Sequence, residues 1–322
     1  MQFQLPIDIP ALKPPIQHSD YIMLTGSCFT EHISRFLRQA KWRTSFNSHG
    51  ILFNPISVAE SINDLLKGKQ YSPHDLFYHH EYWHSWKHHS DFSSTDQAHT
   101  LELINQSIVT QQHALQQAQV IIITLGSAFA YWHLPSQQWV ANNHRLPHHE
   151  FQKTLLDADT IRQALQSCIS NLHQANPSLR VILTISPVRH IRDGVIDNNR
   201  SKARLIEAVH ALTNVYYFPA YELVIDVLRD YRFYDMDMVH PNYQATQYVW
   251  QRFVEACIDP RALPLMKQCE QIHRAKTHRP KNTTTQAHQH FLQTHHQLCT
   301  QLLQSHPYID MSEELRYFSQ TD

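Results

Sequence analysis

Glycine is scarce: the 322-residue chain has 5, where average usage would supply about 22. A chain this sparing keeps glycine mainly where the backbone demands it, which marks Gly26, Gly50, Gly68, Gly126 and Gly194 for inspection. Charge is scarce too, 17% of residues against about 25% in an average domain. It is also balanced, with 27 basic and 28 acidic side chains and a net charge of -1. That balance gives neither nucleic acid nor an anionic membrane surface a reason to bind. No run approaches the roughly 18 apolar residues of a membrane span. The opening stretch MQFQLPIDIPALKPPIQHSDYIML has no basic segment followed by an apolar one, so no signal peptide is expected. The five cysteines, Cys28, Cys168, Cys257, Cys269 and Cys299, are odd in number, scattered and without a CxxC pair. They form neither a disulfide framework nor a zinc ribbon, and a reducing cytoplasm is the expected location.

Hydrophobic residues make up 42% and aromatics 11%, which excludes global disorder. The 26 histidines make the charge steeply pH-dependent. The length suits one large α/β domain with appendages, or two smaller domains. Residues 1–20 are Pro-rich and read as an extended arm. Buried strands are expected at Tyr21–Thr25, Gln119–Leu125 and Arg180–Ser186, each a short apolar run, with a shorter strand at Val215–Phe218. Helical periodicity covers residues 28–39, 55–66, 99–117, 157–174, 201–212, 219–228 and 241–257. Strand and helix alternate, which predicts βαβ units and a mainly parallel sheet. Residues 71–96 look irregular. Beyond about 260 the chain is Gln- and His-rich and reads as a helical extension over 261–322, loose near 274–286. The body of the fold is therefore expected at 21–260.

In an open parallel sheet the chemistry gathers at the carboxyl ends of the strands. The first strand ends in Gly26-Ser27-Cys28-Phe29-Thr30, two candidate nucleophiles on a turn into a helix N-terminus. A helix start lowers a thiol pKa and binds oxyanions. The competing reading makes Ser27 an N-cap and Cys28 a small buried hydrophobe. Late in the chain, Asp237 precedes His240 by three residues, so its carboxylate can orient the imidazole and leave Nε2 as a base. Pro241 then suggests a helix start, placing His240 at the cap. Gly126 and Ser127, at the end of the most apolar strand, either open space or donate to substrate. Asn47 and Gly50, in Phe46-Asn47-Ser48-His49-Gly50, offer an oxyanion donor or form a plain turn. His74, His79, His80, His84, His88 and His89 include i,i+4 pairs that on a helix suit a transition metal. No HExxH accompanies them, and a polar, aromatic cover over a cleft is the favoured reading; no metal or other cofactor is expected. Trp83 and Trp86 read either as sugar-stacking rings or as core.

GSCFT resembles the signature of the GSCFA-domain family, placed among SGNH-like (GDSL-type) hydrolases. Further similar blocks are FNSHGILFNPIS (46–57), WHSWKHHSDFS (83–93), ITLGS (123–127), TISPVRHIRDG (184–194), RSKARL (200–205) and YFPAYELVIDVLRDYRFYDMDMVHPN (217–242). The resemblance implies a three-layer α/β sandwich of the SGNH or flavodoxin-like kind, with a nucleophile after the first strand and D-x-x-H near the end. An ungapped match of GDS-L-T to residues 26–30 puts Cys28 at the nucleophile position and Ser27 at that of the Asp. Gly126-Ser127-Ala128 lacks the Asn of the Gly-x-Asn block, so one oxyanion donor must come from elsewhere or be absent. The implied activity is an acyl-ester hydrolase or O-acyltransferase acting on a small-molecule or carbohydrate ester. In that mechanism Cys28 or Ser27 attacks, His240 is the base, Asp237 orients it, and N–H groups of the Gly26–Cys28 turn and Gly50 hold the oxyanion. The other class is a non-catalytic ligand-binding protein on the same fold.

Overall fold

A computed structural model describes residues 5–319. Five strands form the central sheet: β1 (Tyr21–Gly26), β2 (Arg43–Phe46), β5 (Val120–Leu125), β9 (Arg180–Ile185) and β10 (Tyr216–Phe218). They lie in the order β10-β9-β5-β1-β2, and every pairing is parallel. The period of two along each strand sorts the core. Met23, Ile121, Ile123, Leu125, Val181, Leu183 and Ile185 face one apolar layer; Ile22, Leu24, Val120, Ile122 and Ile182 face the other. Helices α2 (Pro55–Lys67), α3 (Gln97–Gln117), α4 (Ala158–Ala175) and α5 (Gly194–His210) cover the first layer. The second is covered by α1 (Phe29–Gln39), by α6 (Ala220–Glu222) with the π-helical Leu223–Leu228, and by α7 (Tyr243–Cys257). The fold is thus a three-layer α/β sandwich, and its sheet order reverses between β1 and β5, the switch point where open parallel sheets bind ligands.

Local chemistry explains the helix starts. Asn54, Asp96, Asp157 and Asn242 each accept a backbone N–H with the side chain, as N-caps do. Helix α7 accordingly starts at Tyr243 after an Asn242 cap. His240 is therefore not at the cap, and Pro241 lies outside the helix, bridged to Tyr234. Helix α5 begins at Gly194, seven residues before the start expected at 201. Helices α8 (Leu263–Thr277), α9 (Gln286–Ser305) and α10 (Ser312–Phe318) form the helical extension around Leu265, Cys269, Ile272, Leu292, Cys299, Leu302 and Phe318. The buried Glu314 pairs with Lys41 at the end of α1 and with Lys276 of α8.

The segment expected to be irregular is ordered. Residues Leu76–His79 (β3) and Tyr82–Ser85 (β4) form a hairpin whose turn holds His80 at φ 45°. A second antiparallel sheet, of Phe129–His133 (β6), Gln138–Val140 (β7) and Phe151–Leu155 (β8), has no counterpart in the sequence reading. The i,i+4 histidine pairs therefore do not share a helix. Among the described residues no group of three or more His, Cys, Asp or Glu side chains is placed to hold a metal ion. The rings pack instead. His49 stacks on His88 at 4.3 Å, His84 lies tilted against His144 at 4.4 Å, and Trp86 contacts Phe77 at 3.8 Å and His133 at 4.2 Å. Trp86 is thus part of the packing rather than a free sugar platform.

Burial holds these rings neutral. It lowers the pKa of His49, His84 and His88, and takes His144 down to about 4. In the unfolded chain the same groups bind protons near 6.5, so the unfolded state holds more protons below that pH. Stability is fully present above about pH 6.5 and is lost as pH falls toward the folded values. His144 alone contributes a loss of up to about 3 kcal/mol once pH is below both of its values. A urea titration should show the unfolding midpoint falling steeply between about pH 6.5 and about pH 4.5. A midpoint constant across that range would contradict neutral packing of these rings.

Candidate active site

The turn after β1 is fixed by backbone fit. Gly26 has φ +127°, and a Cβ there would lie 2.0 Å from the carbonyl oxygen of Thr124 on β5. No other residue fits without moving the strand. The Gly26 N–H donates to Asn47 Oδ1 at 3.1 Å, and the Ser27 N–H donates to Thr124 O at 3.0 Å. Cys28 occupies the N-cap position of α1 and makes no side-chain cap bond. Ser27 is therefore not the side-chain cap. Its Oγ is fully buried and has no hydrogen-bond partner among the described residues. Cys28 is partly exposed.

Burial and the Glu31 carboxylate push the Cys28 thiol up. Its own N–H, the Lys202 ammonium and the Phe29 N–H pull it back down without cancelling the rise. The remaining thiols are more strongly suppressed by burial: Cys168, Cys257 and Cys269 are pushed up to about 12, and Cys299 to about 11.

Most of the expected oxyanion donors are already engaged. Besides Gly26 and Ser27, the Gly50 N–H donates to Asn47 O at 2.9 Å. The N–H groups of Gly126 and Ser127 both donate to Phe53 O, at 2.9 and 3.0 Å. Ser127 Oγ accepts from the Phe129 N–H and lies 3.2 Å from Ser201 Oγ. Among the described residues the Cys28 N–H makes no bond to a backbone carbonyl and leans only on its own sulfur, and the buried Asn47 Nδ2 has no partner. Gly126 serves by absence of bulk. A Cβ there would sit 3.2 Å from both Ser27 Cβ and His190 Nε2 and 3.3 Å from Phe53.

Asp237 and His240 meet on the loop before α7. Asp237 Oδ2 accepts from His240 Nδ1 at 2.6 Å, while Oδ1 accepts the N–H groups of Val239 and His240 at 2.9 and 3.0 Å. These bonds hold the exposed Asp237 carboxyl down at about 2. With Nδ1 donating to a carboxylate, the neutral ring keeps its lone pair on Nε2. The loop is tied to the segment leaving β9, where the Arg189 N–H donates to Val239 O at 3.1 Å. It also lies within electrostatic reach of α1, since the His240 charge contributes to lowering the pKa of His32. His32 lies one helical turn beyond Cys28, on the same face. His240 makes no hydrogen bond to Ser27 Oγ or Cys28 Sγ among the described residues. Such bonds commonly tighten only when substrate is bound.

Two groups at this floor were not singled out from the sequence. Lys202 of α5 is 1% exposed, and its Nζ donates to Gly126 O and Ser186 O, each at 2.7 Å. Burial takes its ammonium down to about 7. His190, after β9, has a buried Nε2 without a partner among the described residues. Burial first, then the charges of Lys202 and His240, takes it down to about 3. The sequence carried one signal for Lys202: it falls on the apolar stripe of α5, three residues before Leu205.

Two family models match the chain: the GSCFA family over residues 21–253, and the GSCFA domain protein, C-terminal domain, over residues 269–322. Among solved structures, a carbohydrate esterase family 3 from Talaromyces cellulolyticus aligns at 11% identity and a TM-score of 0.37, over 77% of this chain and 98% of that one. A putative GDSL-like lipase from Parabacteroides merdae aligns at 12% identity and a TM-score of 0.38, over 75% of this chain and 97% of that one. No curated protein matches the chain. No helix among the described residues is long and apolar enough to cross a membrane.

Proposed function

The chain belongs to the GSCFA family, and on that premise we propose that it is an acyl-ester hydrolase or O-acyltransferase with Cys28 as nucleophile. The reading rests chiefly on one observation. At the sheet's switch point a partly exposed thiol stands at a helix start, and an Asp237–His240 pair whose Nε2 is left as an acceptor lies within electrostatic reach of His32 on the same helix. Exposure favours Cys28 over Ser27, whose hydroxyl is enclosed.

In the proposed reaction the Cys28 proton passes to His240 Nε2 as sulfur bonds to the ester carbonyl carbon. The Cys28 N–H and Asn47 Nδ2 stabilise the tetrahedral oxyanion. Collapse breaks the ester C–O bond, and His240 returns the proton to the departing alcohol. Water or an acceptor hydroxyl then attacks the thioester, His240 again taking its proton, and the thiol is regenerated. The substrate in this reading is a small-molecule or carbohydrate ester, and a reducing cytoplasm suits a free catalytic thiol.

Iodoacetamide tests the thiol. At neutral pH Cys28 should be alkylated at least about tenfold faster than the other four cysteines, whose thiols lie higher and are buried. Peptide mapping by mass spectrometry reads the rates, and equal labelling of all five would count against an accessible nucleophile. A non-catalytic ligand-binding protein is the second reading. It is favoured by the engagement of the Gly26, Ser27, Gly50, Gly126 and Ser127 N–H groups within the fold.

A further inference from the structure

Between the body of the fold and its helical extension lies a cavity of about 400 Å³, walled by the end of α1, the start of β2, and α8 and α10. Its walls carry five cations: Arg35, Arg38, Lys41, Arg43 and Lys276. Three carboxylates share it, those of Asp310, Glu313 and Glu314. His273 lines it too, and burial holds that ring's pKa below its ordinary value, so it is neutral at pH 7. A surplus of two positive charges therefore faces one concave space, in a chain whose net charge is -1.

How these charges pair decides which of them are available. Glu314, 1% exposed, accepts from Lys41 and Lys276, and Glu313 accepts from Lys276 at 2.6 Å. Asp310 accepts from the N–H and hydroxyl of Ser312. The lysines thus satisfy the glutamates. The arginines are held differently. The Arg35 guanidinium lies 5.3 Å from the ring centre of Tyr243 and 5.4 Å from that of Phe36. Arg38 lies 5.1 Å from Phe46, and Arg43 lies 5.6 Å from Tyr21. Arg43 also donates to Ser19 O at 2.7 Å. None of the three pairs with a carboxylate among the described residues, and Arg35 Nε is buried without a hydrogen-bond partner. An aromatic ring engages the face of a guanidinium and steadies it, leaving the in-plane N–H donors unspent. Three forks steadied in this way around one cavity suit an oxyanion.

We propose that this cavity binds a phosphate monoester of a small molecule. The dianion offsets the surplus of two charges, and its three terminal oxygens meet the three forks. A carboxylate brings one charge and two oxygens. The volume falls in the range of small-molecule pockets and leaves room beyond the phosphoryl group. The site is separate from the acyl-transfer centre. Arg38 stands ten residues along the chain from Cys28, about 15 Å at the rise of a helix. The inference therefore does not depend on Cys28 as the nucleophile.

Calorimetric titration of the full chain with glucose 6-phosphate tests it, with glucose and with sodium chloride at matched ionic strength as controls. The phosphate ester should bind saturably, with a Kd of about 1 mM or tighter, and neither control should. Inorganic phosphate should bind more weakly, because it fills only the phosphoryl end of the cavity. Arg38→Gln, at an exposed helix position, should weaken the ester about tenfold. Arg38→Lys keeps the charge without the fork and should recover only part of that loss. In the wild-type protein, bound ester should slow amide hydrogen exchange in residues 35–43 and 273–276, a readout that needs no variant. No saturable binding, inorganic phosphate binding as tightly as the ester, an affinity unchanged in Arg38→Gln, or protection confined to other segments would each overturn the proposal. Binding is read without ester turnover, so failure here is distinct from failure of the acyl-transfer reading.

Discussion

His240→Ala should lower turnover of an aryl ester by about 10²–10⁴-fold, the range associated with one positioned general base. Without the imidazole nothing at the mouth of the site accepts the Cys28 proton, and the thiol stays in its neutral form because burial and Glu31 hold it up. His190 does not substitute, since burial and its neighbours take it down to about 3. Asp237→Asn should lose less, and mainly in kcat. The amide can still accept through its oxygen, but it no longer supplies the charge that favours the imidazolium. The half-exposed pair carries little of the fold, so thermal unfolding should shift by no more than a few degrees. Wild-type activity in His240→Ala would remove the D-x-x-H assignment.

Cys28→Ala should abolish ester turnover, and Ser27→Ala should retain it. Their positions argue this directly. Cys28 opens onto solvent at the start of α1. Ser27 Oγ is buried with no partner among the described residues. Removing a buried hydroxyl that makes no hydrogen bond costs little, so Ser27→Ala should unfold within about 1 kcal/mol of wild type. No helix cap is lost either, because Cys28, not Ser27, occupies the cap position. Paired urea titrations and initial rates on an aryl ester measure both effects. Activity that survives Cys28→Ala and vanishes in Ser27→Ala would reverse the assignment.

Much of this architecture was legible in the chain. The apolar runs at 119–125 and 180–186 read as strands buried on both faces, and they form the centre of the sheet. Gly26 marked the tight turn because a chain with five glycines keeps one where φ is positive. The Asp237–His240 spacing produced the hydrogen bond it suggested. What stayed hidden depends on distant partners. The N–H groups of Gly126 and Ser127 looked free, yet both are satisfied by Phe53, more than seventy positions earlier. The β3–β4 hairpin and the β6–β8 sheet escaped notice because histidines serve there as buried rings, and they read as polar in a periodicity. The start of α5 was missed because Asp197, Asn198, Asn199 and Arg200 carry no apolar stripe. Lys202 falls on that helix's buried face, where a charge is read as a break in the pattern instead of a site.

The most direct test of Cys28 as the acyl carrier is to catch the acyl group on it. The protein is mixed with an activated acetyl ester, quenched in acid within a turnover, digested and mapped by mass spectrometry. Acid preserves a thioester, so the residue that carries the acetyl group is identified before water or an acceptor removes it. The account predicts one acetyl group on the peptide containing residues 26–30, lost in Cys28→Ala, kept in Ser27→Ala, and accumulating more slowly in His240→Ala. Acetyl on Ser27, or turnover with no acyl-enzyme at any time, would contradict it.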